Sequence, residues 1–555
     1  MASDRTASAP DTSPASDAGS ESRTPIPAVG SAPSALAVRP RIGLLALALG
    51  LAATLIALTG SWIPSLWGDE AASLMASTRP LPSLFTMLGH VDAVHGTYYL
   101  GLHVWIDMFG TSPFSIRLPS ALAVGATVCA VVLIADRLST PTVAVVAGVV
   151  CCVLPRVTYM GEEARSFAFS AAIAAWLTLI LIELLRRQRP PLALWIAYGL
   201  LLVLGIYVFL YLALFVLVHA LILARAHPPR PMVWAWLATS AGALLLAGPL
   251  FVLAFFERAQ ISYLSTDSEV GFTTLTVGLW FGEAWFAVVA WLLIGVALGV
   301  RMRQGWLLRH SRLSTRSRPT GGGGPPRRQA DEGTDSLENP QLPSLEFVAA
   351  SWLFVPTAFL VLMNLVFAGF TGRYSSYSAP AAALLMASGL VWLGRNRRWR
   401  ILVGTLLIIA LAVPIYWEQR GPHAKNDSDW AAVSAVVETH AMTGDAVVFD
   451  ETVRPSRRPR LAMHAYPAGF VGLRDVALDI PAVDNNTWYD RAYPIETAIG
   501  LGRLEGMDRV WLINYSDPGH TDVYAVSALT ALGLTATDHF RTHRSVITLY
   551  VLPSG

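Results

Sequence analysis

The chain has 555 residues, 54% of them hydrophobic and only 14% charged, where a soluble protein carries roughly 25% charged residues. That much apolar surface excludes one water-soluble core, and its arrangement in long segments instead of short alternating ones excludes a β-barrel. A net charge of +2 says little about partners, and no nucleic acid is expected among them.

Residues 1–41, rich in Ser, Ala, Pro and Asp, lack the aromatic and branched side chains of a core and read as a disordered tail. They are too long and polar for the start of a cleavable signal, so the first apolar run, from Ile42, reads as a retained helix. Apolar runs then predict about eleven spans, near 42–61, 117–135, 141–155, 166–185, 191–206, 208–225, 233–255, 275–300, 346–368, 377–394 and 401–417. Their centres read as almost purely apolar. Cys129, Cys151 and Cys152 all lie in these runs, which suits packing and offers no disulfide framework or CxxC metal site.

Positive charge orients the bundle. "DRLST", "LRRQRP", "RMRQGWLLRHSRLSTRSRP" and "GRNRRWR" fall on one side, which the positive-inside rule makes cytoplasmic together with the N-terminal tail. The 301–345 segment, with "TGGGGPPRRQADEGTD", reads as a flexible cytoplasmic linker. The 62–116 segment falls on the opposite side. Within it "SLFTMLGHV" predicts a short interfacial helix, and "YYLGLHVWIDMFG" is interrupted as a span by His103 and Asp107. Residues 42–417 thus form the membrane domain. From about 418, "SDWAAVSAVVETHA" and "DVYAVSALTALG" predict helices, while "DAVVFD", "DRVWLIN" and "SVITLYVL" predict strands, giving a small extracytoplasmic α/β domain over 418–555. No nucleotide-binding fingerprint occurs anywhere in the chain.

Nearly all the unusual polar clusters fall on the outer side. Asp69 and Glu70, in "LWGDEAASL", directly follow the first span, at a depth where idle charge is costly, and a partly dehydrated carboxylate there can take a proton from a hydroxyl. Glu162, Glu163 and Arg165 share a short loop. They form either a surface ion pair or a second acidic group that positions an acceptor or holds a divalent ion. His90, Asp92, His95 and His103 match no HExxH spacing, and His95 ahead of Tyr98 and Tyr99 suits orienting a substrate or a nearby acid. Arg373 and Tyr374 open a helix end, where Arg373 is either a headgroup anchor or a clamp on phosphate oxygens.

Taken in order, these stretches resemble GT-C membrane glycosyltransferases of the protein O-mannosyltransferase and aminoarabinose-transferase type (glycosyltransferase family 39-like). "WGDEA" looks like the family's acidic pair after the first helix. "HGTYYLGLHVW" stands where it has a His-Pro-Pro-Leu-Tyr-Tyr motif, without the two prolines. "GEEARSFAFS" resembles Glu-Ala-Arg-x-Tyr-Ala with Phe167 in the aromatic place, and "GRYSSYSAPAAALL" resembles Arg-Tyr-x-x-x-x-x-Pro. The likeness covers about residues 42–450, and the "VDAVHG" variant is similar to actinobacterial members described as mannosyltransferases.

The resemblance implies an inverting transferase in a bacterial cell membrane, moving a sugar such as mannose from a polyprenyl-phosphate donor to a cell-envelope glycan, lipid or protein. Asp69 would be the base. Glu70, with Glu162 or Glu163 and with His95, Tyr98 and Tyr99, would hold the acceptor or tune Asp69. Arg373, Tyr374 and Arg165 would hold the donor phosphate. No cofactor is required, no metal ligands are assigned, and a divalent ion stays open. The alternatives are a lipid-linked-sugar flippase, which should carry polar residues deep in its spans or an internal repeat, and a non-catalytic membrane scaffold.

Overall fold

The architecture is that of a computed structural model, which describes residues 40–260, 270–316, 342–366, 369–395, 397–519 and 523–553. Nearly all of the expected N-terminal tail and the glycine-rich centre of the expected linker lie outside the described residues. All described residues belong to one compact unit, Arg39–Gly555.

The membrane half begins with α1 (Pro40–Leu58), followed by the short helices α2 (Gly68–Ser77), α3 (Leu81–Leu88) and α4 (Gly96–Phe109). Next come α5 (Pro113–Leu138), α6 (Pro141–Val153), α7 (Pro155–Gly161), α8 (Phe167–Leu185) and α9 (Leu192–Val208). The half is completed by α10 (Phe215–Ala226), α11 (Arg230–Leu246), α12 (Gly248–Phe256), α13 (Ala284–Arg316), α14 (Leu345–Asn364), α15 (Ala379–Gly394) and α16 (Arg398–Gln419). Starts follow local chemistry. Ser112 and Thr140 accept the backbone N–H groups of Ser115 and Val143, each just ahead of a proline at the first helical position.

Among the described residues seven helices are long and apolar enough to cross a membrane, and two bent pairs raise the number to nine. The chain is a multi-pass α-helical membrane protein. One bend, of 57°, separates α6 from α7 at Pro155, where the missing N–H and the ring break the helical ladder. The predicted spans at 191–206 and 208–225 fold as shorter apolar helices, Leu192–Val208 and Leu210–Ala226. Helix α13 continues to Arg316, well into the stretch expected to be a linker. The segment holding His103 and Asp107 is α4, which is not among the spans.

Helices α1 and α5 touch backbone to backbone. A Cβ on Gly50 would lie 2.8 Å from the Gly125 carbonyl, and one on Gly125 would lie 2.7 Å from that of Gly50. A buried polar group interrupts the apolar span centres. Buried His219 of α10 meets the Tyr198 hydroxyl of α9 at 2.8 Å, and Trp236 of α11 donates to that hydroxyl at 3.1 Å. With every partner on a neighbouring helix, the group ties the bundle together.

After α16 the chain forms a small domain: α17 (Trp430–His440), β1 (Ala446–Phe449), α18 (Leu461–Ala465), β2 (Arg474–Asp475), β3 (Leu478–Ile480), β4 (Arg491–Ala492), α19 (Ile495–Gly500), β5 (Arg509–Tyr515), α20 (Val526–Ala531), β6 (Thr535–Arg541) and β7 (Ser545–Val551). Its sheet has the order β2-β1-β5-β7-β6, parallel from β2 to β5 and antiparallel beyond. The apolar runs β1, β5 and β7 are buried. Edge strand β6 has a polar, largely exposed sequence, which is why no apolar run announces it. This domain is bolted to α2 and its flanks. The Leu66 N–H donates to the Tyr466 hydroxyl at 2.8 Å, Ser428 Oγ donates to the Leu66 carbonyl at 2.6 Å, and Arg79 donates to the carbonyls of Asn485, at 3.0 Å, and Thr487.

Candidate active site

At one end of the bundle, under the small domain, lies a cavity of about 1090 Å³. Asp69, Asp92, His95, Glu163, Arg165, Phe167, Arg373 and Tyr374 line it from the helical side. Four stretches scattered through the membrane half therefore converge on one space.

Asp69 and Glu70 sit side by side in the first turn of α2 and diverge, because successive helical residues point about 100° apart. Asp69 faces the cavity. Its carboxylate accepts from Arg373 Nη1, and Arg165 Nε lies 3.9 Å away. The Arg373 guanidinium also lies over the Trp67 ring at 5.5 Å. Glu70 does not line the cavity. It is fully buried, with Arg117 Nε and Nη2 gripping its two oxygens at 2.7 and 2.5 Å and the Ala164 N–H donating to it at 2.8 Å. Arg117 Nη1 donates onward to the carbonyls of Ser61 and Pro64. Glu70 therefore joins α2, α5, the approach to α2 and the 162–165 loop.

That loop carries three roles. Glu162 turns inward, with Arg420 at 3.2 Å and Lys425 at 3.4 Å, all three side chains buried. Lys425 also lies 3.4 Å from the Tyr159 ring centroid. Glu163 is buried yet lines the cavity, and burial pushes its carboxyl above the ordinary range, partly offset by Lys425. Its own carbonyl accepts from Ser120 Oγ at 2.7 Å, which fixes the turn. Arg165 donates to Ser73 Oγ and the Tyr99 hydroxyl at 3.3 Å each, and meets His95 Nε2 at 3.1 Å. Tyr99 in turn donates to Asp92 at 3.0 Å.

His95 thus receives Arg165 on one nitrogen. Burial first, and then the positive charges of Arg165 and Arg373, hold it well below the ordinary histidine range, so it is neutral at pH 7. Asp92 is pushed up by burial, offset by Arg165 and the Tyr99 hydroxyl. Tyr98 points away from the cavity and packs edge-on against Phe169 at 5.9 Å. Tyr374 packs on Tyr211 at 5.0 Å and on Phe209 at 6.4 Å, an aromatic wall beside Arg373.

The structure also brings in residues not singled out from sequence: Arg420 and Lys425 beneath the loop, and Arg454, Arg457, Trp488 and Tyr489 of the small domain on the opposite wall. Two of these had a signal. "EQRGPHAK" places positive charge just after the last span on the side that should be poor in it, a sign that the charge is neutralised internally. Among the described residues no three His, Cys, Asp or Glu side chains converge to hold a metal ion.

No family model and no curated protein matches the chain. Solved structures do. ArnT from Cupriavidus metallidurans, bound to undecaprenyl phosphate, superimposes with a TM-score of 0.50 at 11% identity, over 92% of this chain and 98% of that one. Its apo form gives 0.50 at 11%, over 91% and 97%. The Archaeoglobus fulgidus oligosaccharyltransferase gives a TM-score of 0.45 at 10% identity, over 92% and 73%. At such identity the likeness is one of fold alone: the chain has the fold of ArnT.

Proposed function

We propose that the chain is an inverting glycosyltransferase that moves a sugar, mannose on the sequence resemblance, from a polyprenyl-phosphate donor to an envelope glycan, lipid or protein. The observation that carries this reading is the meeting of Asp69 with Arg373 and Arg165 in one cavity at the helix ends, where a lipid-borne phosphate and a water-borne hydroxyl can both arrive. Undecaprenyl phosphate bound to a protein of the same fold supports the donor class. In this reading the two shorter helices also cross, giving eleven spans in a bacterial cell membrane, with the N-terminus cytoplasmic and the small domain outside.

In the chemistry, the acceptor oxygen attacks the anomeric carbon as the bond to the phosphate oxygen breaks. Its proton passes to Asp69, and the electron pair leaves on the lipid phosphate, held by Arg373 and Arg165. Because Asp69 and Arg373 are paired with each other, the donor phosphate must first take Arg373, and that exchange frees the base. Glu70 positions α2, and Glu163 reaches the acceptor. His95 and Tyr99 hold Arg165, Tyr98 packs behind them, and Tyr374 walls the donor side. No step requires a metal; a divalent ion between Asp69 and Glu163 stays open to titration.

The test is transfer by the purified full-length protein from a panel of radiolabelled polyprenyl-phosphate sugars to an envelope extract. Sugar release and transfer from one donor is the expected result. A donor carried across the bilayer unchanged would make the protein a flippase.

A further inference from the structure

The small domain meets the cavity with a loop tied at many points. Asn485 Oδ1 accepts the Thr487 N–H at 2.8 Å, and Asn485 Nδ2 donates to the Tyr489 carbonyl at 3.0 Å. Arg79, between α2 and α3, donates to the carbonyls of Asn485 and Thr487, and Ser83 donates to that of Val483. Asp490 fastens the far end, accepting the Ala482 N–H at 2.7 Å and meeting His464 Nε2 at 2.6 Å. The loop's polar backbone is thus spent on the protein. What it presents to the cavity is aromatic: Trp488 and Tyr489, both half-buried, with ring centroids 5.2 Å apart and planes at 80°.

A second turn lines the same cavity. Asn426 and Asp427 both adopt left-handed backbone, with φ of 51° and 56°, which two successive non-glycine residues keep only when their surroundings impose it. Arg544 imposes it, donating to the Asn426 carbonyl at 3.2 Å and to the Asp427 carboxylate at 3.0 Å. Neither the Asn426 side-chain amide nor the Trp488 indole N–H has a hydrogen-bond partner among the described residues. The indole N–H of Trp67, two residues before Asp69, is buried and also lacks an acceptor there. Flat apolar rings beside a free amide and free N–H donors suit a sugar ring, whose C–H face packs on an aromatic while its hydroxyls donate and accept. They suit the other acceptor classes less. An extended peptide pairs through main-chain groups, and the loop's carbonyls are already taken. A lipid chain needs continuous apolar surface, which Asn426, Ser456 and Thr487 interrupt.

We infer that the Trp488–Tyr489 loop, with Asn426, is a subsite for a sugar ring of the acceptor, which makes the acceptor a glycan. The word acceptor rests on the transferase reading; the binding of a sugar ring does not. The donor's phosphate is assigned to Arg373, on the helical side, so the small-domain wall is left for the second substrate. Packing on an aromatic face corresponds to roughly two- to tenfold in affinity, and one neutral hydrogen bond to about as much.

The test uses full-length protein in nanodiscs without donor, and saturation-transfer NMR with three probes: methyl mannoside, mannobiose and the peptide acetyl-Ala-Thr-Ala-amide. Both sugars should bind, the disaccharide more tightly, and the peptide should not. W488A should weaken sugar binding about tenfold and W488F much less. N426G removes the amide but keeps the left-handed turn, so it should cost about threefold with the fold intact, and it decides the matter should W488A fail to fold. Polyprenyl-phosphate mannose should bind both variants as it binds wild type. Sugar binding that survives W488A and N426G, binding of neither sugar, or equal binding of the peptide would overturn the inference. So would loss of polyprenyl-phosphate mannose binding in folded W488A, which would give the loop to the donor. Wild-type protein that binds the sugars through Trp488 yet transfers nothing once donor is added would end the transferase reading and leave the subsite standing. Transfer to the peptide would do the reverse.

Discussion

Asp69 and Arg373, 304 residues apart in the chain, hold each other as an ion pair in the cavity. The proposed base and the proposed phosphate clamp are each other's partner before substrate arrives. Separating them leaves each with a measurable change. Asp69→Asn should lower transfer by about 10²–10⁴, the usual cost of losing a general base, while donor binding tightens because Arg373 no longer has a carboxylate to leave. Arg373→Lys should weaken donor binding, since a point charge cannot bridge two phosphate oxygens. Donor affinity and transfer measured separately decide this: near-normal transfer by Asp69→Asn removes it from the chemistry.

Glu70 should behave as a structural acid. Glu70→Gln leaves Arg117 buried without its counter-charge, and breaking such a pair typically costs about 3–5 kcal/mol. Its thermal stability in nanodiscs should fall well below that of Asp69→Asn. A double replacement, Glu70→Leu with Arg117→Met, should recover a large part of the loss. A stable, folded Glu70→Gln with transfer abolished would instead place Glu70 in the reaction.

Gly68→Ala should push the small domain off α2. The added Cβ would meet the Ser456 carbonyl at 2.4 Å and its Cβ at 2.7 Å, and a backbone oxygen cannot rotate away as a side chain can. Transfer should drop while donor binding, on the far side of Asp69, is kept. Acceptor KM measured against kcat checks this, and unchanged kinetics would mean that the two surfaces part freely.

Two buried groups give stability an opposite pH dependence. Glu163 is raised, so its ionisation penalises the folded state at every pH above its unfolded value near 4.5, increasingly up to its folded one. Glu163→Gln should therefore raise the melting temperature at pH 7 and lower transfer, with the stability gain fading toward pH 4.5. His95 is lowered, so folding loses stability as pH falls below about 6.5, where only the unfolded chain takes up the proton. His95→Gln should flatten that part of the curve. Melting temperature followed from pH 8 to 4.5 in both variants tests the signs, and a His95→Gln curve parallel to wild type would show that the ring is solvated.

Some of this was written in the chain itself. The long apolar runs determined a helical membrane protein, because only helices satisfy their own backbone in lipid. The runs "DAVVFD", "DRVWLIN" and "SVITLYVL" determined the buried strands of the small domain. The motif residues Asp69, His95, Glu163, Arg165 and Arg373 are individually legible and do line one cavity. Only the tertiary structure decided their division of labour. Adjacent acids look alike in sequence, yet the turn of a helix sends Asp69 to the cavity and Glu70 to Arg117, and the non-helical loop after α7 parts Glu162 from Glu163. The partners that neutralise the inward acids, Arg117, Arg420 and Lys425, come from distant segments. A local pattern carries no record of which charges will meet when those segments pack, and that meeting is what sets Asp69 against Arg373 in the cavity and Glu70 against Arg117 beneath it.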